Sequence, residues 1–372
     1  MFPPPPPPPP AVTFPLGWIL QHASAPIQYR ATVDVAKLGD RVPPAFGFLP
    51  YGFPPAIELA VAQAVDGVWN ESMLTLPARG SDGFDGVGTV HAVRRMLEFG
   101  WDKDSPPVYQ ARRVLFRLLA EDDDPSLLFE LAPKSTAKSK PDDELLRMTR
   151  QTLREAAGAA LAQSGFETDP RLRGAARRTL DRIMEFLKSP VGEKPWIRIG
   201  NRQVLSPDAF PPSIYALQML SHMPLFRSEH YEGMELVYRW LTRALPRQDQ
   251  MQVVGKKIIS VPLFVMGDRL PHRNAVEADV PAALSWLELM ARMGFLRRNE
   301  NWSKMFDRFV DDCGRDGVWH PHKGMAMPRS SSAWVWSSYP LEPPHGGEGK
   351  WADVTFRIGL IARLSGRQID LI

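Results

Sequence analysis

Two places in the chain combine residue types that move protons near neutral pH. His91 follows Gly88-Thr89-Val90 at the start of an apolar-periodic stretch, with Arg94 one turn further on. Asp353 and Arg357 lie one turn apart at the start of another such stretch, where they could pair with each other. Imidazole and carboxyl groups are the common general acids and bases, so His91 and Asp353 are the expected catalytic residues. Trp69 and Glu71 in one long connection, and Trp334, Trp336 and Tyr339 in another, add aromatic and polar surface. With Arg94 and Arg357 they would line an apolar pocket with a few convergent polar groups, the usual form of a small-molecule site. The plainer reading of the same residues is a satisfied interior histidine, charges that tie helices together, and aromatics that fill the centre. Lys256-Lys257, with Arg198, Arg202 and Arg269, offers positive charge to an anion such as a diphosphate.

Asp311 and Cys313, with His320, His322 or His345, are zinc-ligand types. Trp302, Phe306, Phe309 and Cys313 also recur at helical spacing, which makes Cys313 a small buried thiol, and no metal or cofactor is expected. Glu121-Asp122-Asp123-Asp124 is read as a solvated charge run, and Asp311-Asp312 with Asp316 has no second acidic motif to hold magnesium. Phosphate-loop, dinucleotide and nucleophile-elbow motifs do not occur.

The 372 residues are 44% hydrophobic and 23% charged, a globular balance, and the formal charge of +3 gives no case for nucleic acid. One cysteine excludes an intrachain disulfide and fits a reducing compartment. No Lys or Arg precedes Arg30, which argues against a secretory leader, and no apolar run is long enough to span a bilayer. A cytoplasmic location is expected. Pro3 to Pro10 would form a polyproline II rod, expected to be a low-complexity tail and otherwise a ligand for an aromatic groove.

These candidates must be positioned by helices. Met96-Leu97-Glu98-Phe99-Gly100-Trp101 is followed by Asp104, Pro106, Ala111-Arg112-Arg113 and Leu115. Leu161 to Phe166, then Asp169, Pro170, Ala176-Arg177-Arg178 and Leu180, repeat most of those offsets from the glycine, and Met290 to Phe295 opens a third copy. Fixed-period similarity marks an array whose units bury their apolar faces on one another. Apolar spacing and end signals predict helices over 26–38, 56–65, 89–99, 106–119, 142–163, 169–187, 213–223, 229–245, 279–293, 301–313 and 351–364. Short edge strands are possible at 257–265 and 74–76. The helices alternate in kind, six followed by short turns or the chain end and five by long connections at 66–88, 121–141, 189–212, 246–278 and 314–350. Two concentric rings are expected, about six inner and five to six outer helices, with the long connections at one rim and any site at that mouth.

Gln63-Ala64-Val65-Asp66-Gly67-Val68-Trp69 begins the first long connection, and Asp316-Gly317-Val318-Trp319 begins the last. A Gln-x-x-x-Gly-x-Trp element closing an outer helix resembles the repeat of squalene and oxidosqualene cyclases, shared more loosely with protein prenyltransferase β subunits. The resemblance spans roughly residues 15 to 372. It implies an all-α, α/α toroid as a single domain behind a disordered tail of residues 1–14. It also implies a cavity for an isoprenoid-like apolar molecule, with catalysis not assured. Cyclases of that type use an Asp-x-Asp-Asp acid, from which Glu121-Asp122-Asp123-Asp124 departs at its first position. The prenyltransferases bind zinc through Asp-x-Cys and a distant histidine, the spacing Asp311 and Cys313 reproduce. A scaffold whose long loops bind another protein is the alternative. A carbohydrate-active enzyme on a similar barrel is a third, and needs two opposed carboxylates.

Overall fold

The computed structural model describes residues 10–77, 83–120, 143–270, 279–321, 325–328, 330, 332, 334–343 and 347–372. In chain order the main elements are β1 (Val12–Phe14), α1 (Leu16–His22), α2 (Ala25–Arg30), α3 (Pro54–Val61), α4 (Thr89–Glu98), α5 (Pro106–Leu118), α6 (Asp143–Gln163), α7 (Pro170–Lys188) and α8 (Pro190–Glu193). There follow β2 (Trp196–Ile199), β3 (Arg202–Leu205), α9 (Ile214–Ser221), α10 (Pro224–Glu229), α11 (Tyr231–Leu241), β4 (Met251–Val254), β5 (Lys257–Ser260), α12 (Val280–Arg292), α13 (Glu300–Asp311), α14 (Ala352–Leu364) and β6 (Ile369–Leu371). The described residues form two compact units, Met1–Ala56 with Leu270–Ile372, and Ile57–Arg269. None of the described helices is long and apolar enough to cross a membrane.

Two kinds of helix alternate. Residues 23–36, α4, α9, α12 and α14 contain no exposed residue, and α6 is exposed only at Asp143 and Arg147. A helix apolar on all sides is stable only when surrounded. By contrast α3, α5, α7, α11 and α13 each bury one stripe and expose the other face. The ends follow the sequence signals. Asp169, Ser213, Asp279 and Asn299 accept backbone N–H bonds as side-chain caps. Gly100, Gly165, Gly294 and Gly366 take φ of 93, 85, 75 and 69° and close their helices.

Several expectations are corrected. The helix expected over 26–38 is α2 followed by a π turn at Ala31–Val35, and its left-handed stop is Lys37, at φ 57°, rather than Gly39. The helix expected over 56–65 ends near Val61, and the one over 229–245 is Tyr231–Leu241. Residues 12–14, expected to lie in the disordered tail, form β1, which pairs in parallel with β6 through Val12↔Ile369 and Phe14↔Leu371. Phe14 packs against Gly359 of α14, where a Cβ would overlap its ring. Residues 74–76 form no strand, and only Lys257–Ser260 of 257–265 does. The all-helical expectation also misses a four-stranded sheet ordered β2-β3-β4-β5. Its two hairpins turn at Gly200-Asn201 and Gly255-Lys256, with glycine φ of 59 and 60° at the first central position. The polyproline segment, apart from Pro10, lies outside the described residues, as do Glu121-Asp122-Asp123-Asp124, His322 and His345.

Candidate functional site

The sequence-predicted residues fall into two sets, one in each unit, and both sets sit at the start of a helix that follows the same kind of corner. In unit 57–269, Asp66 Oδ1 accepts the Val68 N–H (3.3 Å), and the Ala64 N–H reaches the Val68 carbonyl (2.9 Å). In the other unit, Asp316 Oδ1 accepts from Val318 (3.1 Å), and Gly314 N–H reaches the Val318 carbonyl (2.9 Å). Gly67 and Gly317 make the turn at φ 89 and 73°, a conformation that a side chain would strain. Trp69 N–H then donates to Thr89 Oγ1, and Trp319 N–H to Thr355 Oγ1, both at 3.1 Å.

The first corner leads to His91. Asn70 and Glu71 turn the chain back at φ 50 and 46°, so Glu71 stands exposed at the tip, while Trp69 is fully buried with its indole N–H on the Leu59 carbonyl at 2.8 Å. Residues 72–75 then cover the start of α4. Thr89, Val90 and Gly88 N–H groups donate to the carbonyls of Ser72 (2.8 Å), Met73 (3.1 Å) and Thr75 (2.9 Å). These are the N–H groups a helix leaves without internal partners, and carbonyls satisfy them. His91, fully buried, contacts the Tyr215 hydroxyl through Nε2 at 3.2 Å and hydrogen-bonds the Leu74 backbone. Burial lowers its pKa to about 3, and the neighbouring Arg94 charge adds to the shift. The imidazole is therefore neutral across the physiological range. Arg94 donates to Gln163 Oε1 (2.9 Å) and to Gln218, and Gln163 Nε2 donates to Glu98 (2.8 Å). This is a polar layer joining α4, α6 and α9.

The second corner leads to Asp353 and Arg357 on α14. Asp353 Oδ2 accepts the N–H groups of Leu341 (2.7 Å) and Glu342 (2.8 Å). Arg357 pairs with Glu288 of α12 at 2.8 Å and donates to the Ser338 carbonyl. Arg357 and Glu288 are both buried, and Glu288 also takes Arg292 at 2.9 Å. Glu342, only 3% exposed, accepts the Ser24 N–H at 2.6 Å. Burial, helped by the Asp353 charge, pushes the Glu342 carboxyl up to about 8. Burial also raises the Tyr339 hydroxyl well above its ordinary value, with Asp353 adding and Arg357 opposing. The turn at 334–338 alternates buried Val335 and Ser337 with half-buried Trp334 and Trp336.

The loop thus holds a carboxyl pushed up to about 8, Glu342, whose own N–H is taken by Asp353, together with the buried Tyr339 phenol and the Arg357–Glu288 ion pair. Sequence reasoning missed Glu342 and Glu288. In Pro340-Leu341-Glu342-Pro343 only Leu341 and Glu342 have N–H groups, and Asp353 takes both. Glu288 is a lone acid in the apolar run Trp286 to Met290, the matching signal to a lone Arg357 between Phe356 and Ile358.

Of the zinc candidates, Asp311, Cys313 and His320 lie within the described residues. Cys313 is held near the Phe309 carbonyl (3.5 Å), and burial, with Asp312, Asp316 and Asp311, pushes its thiol up to about 12. A thiol so disfavoured as thiolate is a poor ligand and nucleophile. His320 contacts Asp316 at 3.0 Å, and no group of three metal-binding side chains forms among the described residues. Arg198, Arg202, Lys256 and Lys257 gather on the four-stranded sheet. No family model, curated protein or solved structure matches this chain.

Proposed function

We propose that the chain binds an apolar, isoprenoid-like small molecule against the 334–343 segment, with Glu342 available as a general acid and Asp353 and Arg357 positioning the loop. The observation that carries this reading is the Glu342 carboxyl, pushed up to about 8 by burial and by Asp353, in the loop that also carries the half-buried Trp334 and Trp336. An acid with a pKa near the working pH suits proton donation to an oxygen leaving group, because it holds its proton yet gives it up readily. It is too weak to protonate an isolated alkene, which separates this site from squalene-type chemistry. Burial of an apolar ligand would supply most of the affinity, at about 25 cal/mol per Å² removed from water.

The toroid belongs to this proposal. Support comes from the alternation of surrounded and one-sided helices and from the two Asp-Gly-Val-Trp corners, which match bond for bond at the turn. Native mass spectrometry of the purified protein, with organic extraction, tests the binding reading. A co-purifying apolar molecule, or saturable uptake of geranylgeraniol that weakens in Trp336→Ala, is expected. Bare protein mass with no geranylgeraniol uptake would defeat it.

A further inference from the structure

The sheet of unit 57–269 carries a charge and shape that the ligand reading does not use. Within 194–206 and 247–260 the cations are Lys194, Arg198, Arg202, Arg247, Lys256 and Lys257, all exposed, against the single acid Asp249. That is an excess of five positive charges within these segments, offset at the β4–β5 turn by Glu144, which accepts the Gly255 N–H at 2.7 Å. Among the described strands β2 lies at the edge of its sheet, hydrogen-bonded to β3. Ile199 and Arg202 close the two-residue turn and exchange both hydrogen bonds, so the alternation of an antiparallel ladder turns the N–H and C=O of Arg198 and Trp196 outward. The bond from Ser206 N–H to the Pro195 carbonyl (2.8 Å) keeps that phase.

Side chains add the complement. Ile197 and Ile199 share one face of β2, at 37 and 41% exposure, and the register through Leu205↔Gln252 puts Ile258 on the same face. Arg198 stands on the other face. An edge strand with outward backbone groups is a template for another strand, and cations on it select the sign of what joins.

We infer that β2 takes up an extended segment of a partner protein as a fifth strand, one whose residues alternate apolar and acidic. Apolar side chains would lie beside Ile197 and Ile199, and carboxylates beside Arg198. A nucleic acid would use the charge alone, and the exposed side chains of β2 are isoleucine and arginine, with no fully exposed ring for bases to stack on.

The test uses the full chain and a fluorescent octapeptide alternating Val and Glu, followed by anisotropy. Saturable binding is expected, weakened about tenfold when Lys replaces Glu and about tenfold when the peptide's backbone amides are N-methylated, the loss of about one hydrogen-bond pair. Arg198→Gln should weaken binding about threefold through charge, and Arg198→Pro about tenfold, since that N–H faces away from β3 and the hairpin keeps its own bonds. Should Arg198→Pro fail to fold, hydrogen exchange of the unaltered protein decides: the Trp196 and Arg198 amides must gain protection on peptide addition. Absent binding, equal binding of the N-methylated peptide, or tighter binding of a single-stranded oligonucleotide would overturn the inference.

Discussion

The two Asp-Gly-Val-Trp corners share a backbone and differ in what they deliver to the helix that follows. At Thr89 the covering segment 72–75 presents carbonyls, which take up the N–H groups of α4, and the buried side chain two residues on is a neutral histidine. At Thr355 the covering segment 341–342 presents N–H groups, so an acid, Asp353, must meet them, and the side chain two residues past the threonine is a buried arginine tied to Glu288. The polarity of the covering loop decides the electrostatics of each helix start. The corners also differ in their own bonding. Gln63 braces the first by donating to the carbonyls of Gly67 (3.0 Å) and Pro107 (2.9 Å), whereas Cys313, at the matching position, only approaches Phe309. Trp69 has its indole N–H satisfied by Leu59, while the buried Trp319 indole N–H has no partner among the described residues. Both corners lead to a displaced pKa, a histidine held neutral at the first and a carboxyl pushed up to about 8 at the second.

The contrast breaks most visibly in the pH response. His91 has a folded pKa below its unfolded value, so its contribution is complete above pH 6.5 and lost as pH falls toward about 3. Glu342 has a folded pKa above its unfolded value, so its contribution is present below pH 4.5 and lost as pH rises toward about 8. Each swing is about 5 kcal/mol. Hydrogen exchange should show unit 57–269 loosening in acid and the 334–343 region loosening in base, with Glu342→Gln removing the alkaline loss. The ion pair comes next. Arg357→Met, which takes one of two arginines from the buried Glu288 and leaves it Arg292, should cost about 3 kcal/mol in urea unfolding, and the double variant Arg357→Met with Glu288→Leu should recover much of it. Smaller is the tryptophan comparison: Trp69→Phe should destabilise more than Trp319→Phe by about 1–2 kcal/mol, because only the former strands a carbonyl. Smallest is Glu71→Gly, which relieves a positive φ and should stabilise by about 0.5–1 kcal/mol in thermal melts.

Much of the helical order was legible. Gly100, Gly165, Gly294 and Gly366 stop helices because glycine there tolerates a left-handed residue, and Asp169, Ser213, Asp279 and Asn299 start them because their side chains accept orphan N–H groups. The sheet was hidden because four-residue strands carry little periodicity, although Ile199-Gly200-Asn201-Arg202 and Val254-Gly255-Lys256-Lys257 hold the two-residue turn signal. Lys37 as a stop was not readable, since a left-handed lysine follows from the π turn before it and not from its own preference. At the site, Asp353, Arg357 and Tyr339 were legible as polar or aromatic residues at a helix start and in a loop. Their partners Glu288 and Glu342 were not, because 69 and 11 residues of sequence separate the pairs that packing brings together.

The central claim is that Glu342 keeps its proton at neutral pH while Asp353 organises the loop around it. Infrared difference spectroscopy of the carboxyl stretch, with Glu342→Gln as the reference, measures this directly. A protonated-carboxyl band present at pH 7, fading as pH rises through about 8 and missing in Glu342→Gln, is the predicted result. A Glu342 carboxyl already ionised by pH 6 would contradict it.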